Sequence, residues 1–210
     1  MSGAPLREIA GPVGSLEALL DEPVGAPRAA AVFAHPHPLY GGTMHSRPVY
    51  QTAKALVQTG VAVLRFNFRG VGASAGGHGG GVGEMDDYRA ALDVMAARYP
   101  DLPLWAAGFS FGGWVAWNVG LEDARVPLLV GLSLPVNRFD FRPVTGSGKA
   151  TFLVHGEHDE VVPARDIRRF YADLREPKEL VIIDGADHVF DGHTAEAADA
   201  VADLLVDWEG

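Results

Sequence analysis

Leu102-Pro103-Leu104-Trp105-Ala106-Ala107-Gly108-Phe109-Ser110-Phe111-Gly112-Gly113-Trp114-Val115-Ala116-Trp117 runs from one apolar stretch, through a serine framed by glycines, into another. It reads as strand, sharp turn and helix, with Ser110 at the turn in the G-x-S-x-G arrangement of a serine nucleophile. The reason is steric. So tight a turn puts the serine in a strained backbone conformation, and glycine two residues away on either side, Gly108 and Gly112, lets neighbouring backbone pass without a clash. The hydroxyl is thereby pushed out above the sheet. With 26 glycines in 210 residues the pattern alone is weak, so its surroundings have to carry the assignment.

Outward from this elbow, short apolar runs alternate with helical patterns. Strands are expected at 29–34, 61–67, 104–108, 127–133, 151–155 and 180–184, whose Val, Leu, Ile and Phe content suits strands buried on both faces of a parallel sheet. Between them apolar residues recur at helical spacing: Val49, Ala53 and Leu56; Met85, Tyr88, Leu92, Met95 and Tyr99; Ile167, Phe170, Tyr171 and Leu174; Val201, Leu204, Leu205 and Trp208. These stripes read as core. The alternation predicts a three-layer α/β sandwich, and residues 1–210 read as one domain. The first 25 residues, punctuated by Gly11, Pro12, Gly14, Pro23 and Gly25, fit a peripheral hairpin. The run Gly76-Gly77-His78-Gly79-Gly80-Gly81-Val82-Gly83 reads as a flexible loop before a helix starting near Glu84.

Composition narrows the partners. With 27 acidic against 17 basic residues the net charge is -10, which repels nucleic acid and anionic membrane surfaces. No cysteine is present, so disulfides, thiolate metal sites and a cysteine nucleophile are excluded. The first residues carry no apolar leader and no apolar run reaches membrane-spanning length, so a cytoplasmic protein is expected. A homodimer is compatible with all of this.

A serine hydroxyl is a poor nucleophile at neutral pH and needs a base in reach and an acid to orient that base. Open α/β sheets gather such groups on loops at the carboxyl ends of their strands. The loop after 151–155 is Gly156-Glu157-His158-Asp159-Glu160-Val161-Val162-Pro163, and that after 180–184 is Gly185-Ala186-Asp187-His188-Val189-Phe190. The expected set is Ser110, Asp159 and His188. Glu157 and Glu160 are rivals for the acid, and capping the helix near Pro163 is an alternative role for Asp159. Asp187 adjoins His188 but cannot easily fold back onto its ring.

The order Ser, Asp, His, with Gly-Phe-Ser-Phe-Gly-Gly, His-Gly-Glu-His-Asp-Glu-Val-Val-Pro and Gly-Ala-Asp-His, resembles the α/β-hydrolase superfamily. His35-Pro36-His37-Pro38-Leu39-Tyr40-Gly41-Gly42-Thr43-Met44 and Phe66-Asn67-Phe68-Arg69-Gly70-Val71-Gly72-Ala73-Ser74 are similar to its small lidless bacterial branch, near the dienelactone-hydrolase-like and short-chain esterase groups. The resemblance runs from about residue 29 to the end. It implies a mostly parallel sheet of about eight strands, with an antiparallel strand near the N-terminus and no cap domain, since only 134–149 separate two successive strands. It also implies hydrolysis of carboxylic esters, short-chain acyl or aryl, through an acyl-enzyme and without a cofactor or metal.

The oxyanion of such a reaction needs two N–H donors. Phe111, which follows the nucleophile, supplies one. Pro36 and Pro38 have no N–H, which leaves His37, Leu39 and Tyr40 for the second, and the family's His-Gly-x pattern favours His37 with Leu39 and Tyr40 as weaker alternatives. The pocket wall is expected from Leu39, Tyr40, Met44, Phe109, Phe111, Trp114, Val136, Val162, Val189 and Phe190, of which about half should touch substrate and the rest belong to the core. The side chains of His35 and His45 read as loop scaffolding.

Rival patterns are weaker. Gly70-Val71-Gly72-Ala73-Ser74-Ala75 matches a dinucleotide fingerprint, yet a glycine-rich loop follows where a helix should. Thr145-Gly146-Ser147-Gly148-Lys149-Ala150 resembles a phosphate-binding loop without its first glycine or the final Ser or Thr. His35-x-His37, with His155, His158 or Asp159 completing a metal site, could belong to a metal-dependent amidohydrolase, whose barrel needs more βα units than this chain holds. A thioesterase or peptidase would use the same triad, and a non-catalytic binding protein would lack one of its members.

Overall fold

The computed structural model describes residues 6–206 and Trp208. The reading of the chain start as free of an apolar leader falls in part on residues 1–5, outside the described residues.

Gly11 and Gly14 bracket a tight turn between Glu8–Gly11 (β1) and Gly14–Asp21 (β2), which form the hairpin expected at the start of the chain. It is less peripheral than its punctuation suggests. β2 goes on to pair antiparallel with Val61–Phe66 (β4), Ala18 opposite Phe66, and so becomes part of the main sheet. The remaining strands are Ala29–Ala34 (β3), Leu104–Phe109 (β5), Leu128–Leu132 (β6), Ala150–Gly156 (β7) and Lys178–Ile183 (β8). The order across the sheet is β1-β2-β4-β3-β5-β6-β7-β8, with β4 to β8 running parallel. Every residue of β3 to β7 is buried, as strands covered on both faces require.

Two apolar layers flank the sheet. On one face, Arg47–Gln58 (α1) and the C-terminal helix carry Val49, Ala53, Leu56, Val201 and Leu205 into a core with Phe33, Val63, Trp105 and Val130. On the other face, Val82–Arg98 (α2), Phe111–Glu122 (α3), the four-residue turn Arg142–Thr145 (α4) and Ala164–Asp173 (α5) bury Tyr88, Leu92, Trp117, Val144 and Ile167 against Val32, Leu64 and Leu129. The last helix is Thr194–Val206 (α6). Between β6 and β7 the chain forms only α4 and its flanking loops, with no inserted cap.

Because β5 lies between β3 and β6, the segments leaving β3 and β5 emerge side by side. The loops leaving β7 and β8 are likewise neighbours, and the four together define one end of the sheet. The glycine-rich loop before α2 is held rather than free: the Glu84 carboxylate accepts the N–H groups of Gly79 and Gly81, at 2.8 and 2.7 Å.

Candidate active site

Ser110 sits between β5 and α3 with φ 52° and ψ -120°, a region that side-chain-bearing residues avoid. Its backbone is tied down by Ser110 N–H donating to Leu132 O (2.9 Å) and Trp114 N–H donating to Ser110 O (3.1 Å). The glycines explain how the turn fits. A Cβ on Gly108 would stand 2.4 Å from the carbonyl carbon of Gly112, and one on Gly112 would stand 2.3 Å from the carbonyl oxygen of His35. The first turn of α3 is thereby allowed to rest directly on the backbone leaving β3.

The structure brings Ser110, His188 and Asp159 together. Ser110 Oγ lies 3.0 Å from His188 Nε2, and His188 Nδ1 lies 2.7 Å from Asp159 Oδ2. A carboxylate can only accept, so it fixes the tautomer: Nδ1–H donates to Asp159 and Nε2 is left to accept the serine proton. Asp159 also accepts the N–H groups of Val161 and Val162 on Oδ1, both at 2.8 Å. The capping and catalytic readings of Asp159 are thus compatible, one oxygen serving each. Glu157 turns away to accept the Gly185 N–H at 3.2 Å, and Asp187 takes the amides of Val189 and Asp191 (3.1 and 2.9 Å), which shapes the loop that carries His188.

Phe111 N–H and His37 N–H have no acceptor among the described residues. The alternatives are engaged: Leu39 N–H donates to His37 Nδ1 (3.2 Å) and Tyr40 N–H to His37 O (3.1 Å). The rings of His37 and Phe111 lie 4.6 Å apart, so the two residues adjoin. Burial, with a smaller contribution from neighbouring His78, holds the His37 imidazole below its ordinary pKa, in keeping with its acceptor role.

His35 is scaffolding. Nδ1–H donates to Pro36 O (2.7 Å) and Nε2 accepts Phe68 N–H (3.0 Å), so neither ring nitrogen has a lone pair to offer a metal. Burial pushes its pKa down to about 4. Among the described residues no cluster of three potential metal-binding side chains occurs.

The expected pocket wall divides. Tyr40, Phe109 and Val189 line a cavity of about 290 Å³ together with Pro36, Pro48 and Thr194. Leu39 is exposed and does not line that cavity, Val136 lines a separate and larger cavity of about 580 Å³ near α5, and Trp114 stacks on Phe139 at 4.5 Å. Met44 and Val162, 1% and 0% exposed, are core residues and present no surface to a ligand; Phe111 and Phe190 are also buried. Met44 is turned inward by its own backbone, which donates to Asn67 Oδ1 (2.8 Å) and accepts from Arg65 (2.9 Å). Its position in an apolar motif gave no sign of this. Glu84, fully buried with Oε1 2.8 Å from His78 Nδ1, escaped sequence reasoning, and His155, weighed there only as a metal ligand, is packed beneath Asp159. Glu84 lies in no pattern with a recognisable spacing.

Comparison with known proteins agrees with this architecture. Residues 25–136 match the family described as serine aminopeptidase, S33. The uncharacterized protein RP471 of Rickettsia prowazekii is 35% identical over 205 residues, covering 93% of this chain and 86% of that protein. An alpha-beta serine hydrolase homologue from Coxiella burnetii superposes with a TM-score of 0.90 at 36% identity, over 98% of both chains. XC6422 from Xanthomonas campestris, a serine hydrolase without a lid, gives 0.86 at 33% identity, over 94% of this chain and 91% of that one. The chain therefore belongs to the α/β-hydrolase superfamily, among its lidless bacterial serine hydrolases.

Proposed function

We propose that the protein is a carboxylesterase-type serine hydrolase acting through Ser110, His188 and Asp159. The observation that carries this reading is the continuous pair of contacts, 3.0 Å from Ser110 Oγ to His188 Nε2 and 2.7 Å from His188 Nδ1 to Asp159 Oδ2. His188 takes the Ser110 proton as the oxygen attacks the ester carbonyl, while Asp159 stabilises the imidazolium. The amides of Phe111 and His37 hold the oxyanion. The same imidazolium protonates the departing alcohol, and His188 then activates a water that releases the acid from the acyl-enzyme.

The substrate reading is a short-chain acyl or aryl ester. It is supported by the cavity beside Phe109 and Val189, since Phe109 precedes Ser110 and Val189 follows His188, and by its size of about 290 Å³. The triad side chains line neither cavity, but the larger one near α5 also lacks any residue adjacent in sequence to them, so the smaller one is the better acyl site. Leu39, Tyr40, Val161 and Val189 are exposed apolar side chains on the surrounding loops, which favours an uncharged substrate body.

Hydrolysis of p-nitrophenyl esters of graded acyl length, wild type beside Ser110→Ala, tests both parts. Turnover should be fastest on the shortest chains and fall at least about 10³-fold in the variant. Undiminished activity in Ser110→Ala would sink the mechanism, whereas turnover confined to acyl-thioesters or peptides would keep the mechanism and replace the substrate.

A further inference from the structure

His155, the sixth residue of β7, is fully buried beneath the acid of the site. Its Nε2 lies 2.8 Å from Val162 O and 3.5 Å from Asp159 Oδ2. Both neighbours are acceptors, so the proton sits on Nε2. Its other nitrogen, Nδ1, is buried without a hydrogen-bond partner. Just past the adjacent strand β6, Ser133, one step beyond the Leu132 to Val154 pairing, is also fully buried, with an unpartnered Oγ and φ 43°. An aliphatic side chain would fill the His155 slot without leaving a polar atom unsatisfied. What imidazole adds there is one N–H, aimed at the acid and its loop.

We propose that His155 is a positioning residue for Asp159: its Nε2–H closes the loop between β7 and α5 onto Val162 and holds the carboxylate in line with His188. The loop is then fastened twice. Val161 and Val162 donate their N–H groups to Asp159 Oδ1, and the carbonyl of the same Val162 accepts from His155, so Oδ2 is left for His188. Burial holds His155 below the ordinary histidine pKa, which favours the neutral ring with Nε2–H as its single donor. Among the described residues Asp159 pairs with His188 and His155 interacts with it electrostatically, while Asp187, Glu157 and His158 on the same two loops make contacts elsewhere and His193 faces Glu196.

This inference rests on the serine-hydrolase reading above, and the test separates the two. The variants are His155→Gln, whose amide nitrogen reaches the place of Nε2, His155→Asn, whose amide stops near Nδ1, and His155→Leu, with Ser110→Ala alongside. For each, kcat and KM on a p-nitrophenyl ester, the pH profile of kcat/KM and thermal melting are measured. In His155→Leu and His155→Asn, kcat should fall about 10²-fold, with KM within about threefold of wild type. The acid limb of the profile should move to lower pH, because an imidazolium less firmly paired with its carboxylate gives up its proton sooner. His155→Gln should recover kcat to within about threefold and restore the acid limb. Should His155→Leu fail to fold, the comparison of Gln with Asn decides. Equal behaviour of Gln and Asn, or a fall in kcat with an unmoved acid limb, overturns the positioning role; activity surviving in Ser110→Ala overturns the reading beneath it instead.

Discussion

The α-carbon of Gly112 faces the carbonyl oxygen of His35 so closely that a Cβ would stand 2.3 Å from that oxygen and 2.6 Å from the carbonyl oxygen of Ala34. This contact sets the start of α3 against the segment leaving β3, and with it the amide of Phe111 beside His37. The obstacle is backbone and cannot rotate aside. Gly112→Ala should therefore destabilise the fold by about 2–3 kcal/mol and reduce kcat by spreading the two amides, measurable as a lower urea midpoint together with slower ester turnover.

Backbone strain at the elbow gives a second expectation. Ser110 is held at φ 52°, ψ -120°, which glycine tolerates and other residues do not. Ser110→Gly should be inactive yet more stable than Ser110→Ala by about 1–2 kcal/mol. Urea denaturation of the two variants checks this, and equal midpoints would remove strain from the account.

Acid stability should depend on His35. Its Nε2 accepts the Phe68 N–H and cannot take a proton without losing that bond, and burial lowers its pKa from 6.5 to about 4. Below 6.5 the unfolded chain binds a proton that the folded chain refuses, so stability is lost as pH falls from 6.5 and levels off near 4. The span corresponds to about 3 kcal/mol. In His35→Gln this part of the slope should vanish, read as the difference between the two pH–stability curves.

At Asp159 an isosteric change should separate charge from shape. Asp159→Asn keeps an oxygen for the Val161 and Val162 amides, but presents N–H to His188 Nδ1 and so drives the imidazole proton onto Nε2, facing Ser110. Turnover should drop about 10³- to 10⁴-fold while the fold is retained. A smaller loss than in Asp159→Ala would show that the carboxylate charge matters less than the loop.

Much of this architecture was legible in the sequence for identifiable reasons. Strands β3 to β7 are buried on both faces, so their apolar runs are continuous and hard to mistake. β8 lies at the sheet edge with only Ile183 fully buried, and its first residues, Lys178 and Glu179, carried no strand signal. Ser110, Asp159 and His188 were visible because each sits on a loop directly after a strand. Residues whose meaning comes from distant contacts were not. Lys149, in a segment resembling a phosphate-binding loop, instead donates to the carbonyls of Gly120, Asp123 and Val126 at 2.6–2.8 Å and caps the end of α3. The inward turn of Met44 depends likewise on Arg65 and Asn67, whereas His155 and Glu84 are held by near neighbours in the chain, in contacts that exist only once their loops have folded.

The central claim is that Ser110 is the nucleophile, and covalent capture tests it most directly. Wild-type protein treated with a fluorophosphonate and examined by intact mass and peptide mapping should gain one phosphonyl group per chain, on Ser110, with ester hydrolysis lost in proportion. Ser110→Ala should gain none. Stoichiometric labelling at another residue, or undiminished labelling of Ser110→Ala, would contradict the account.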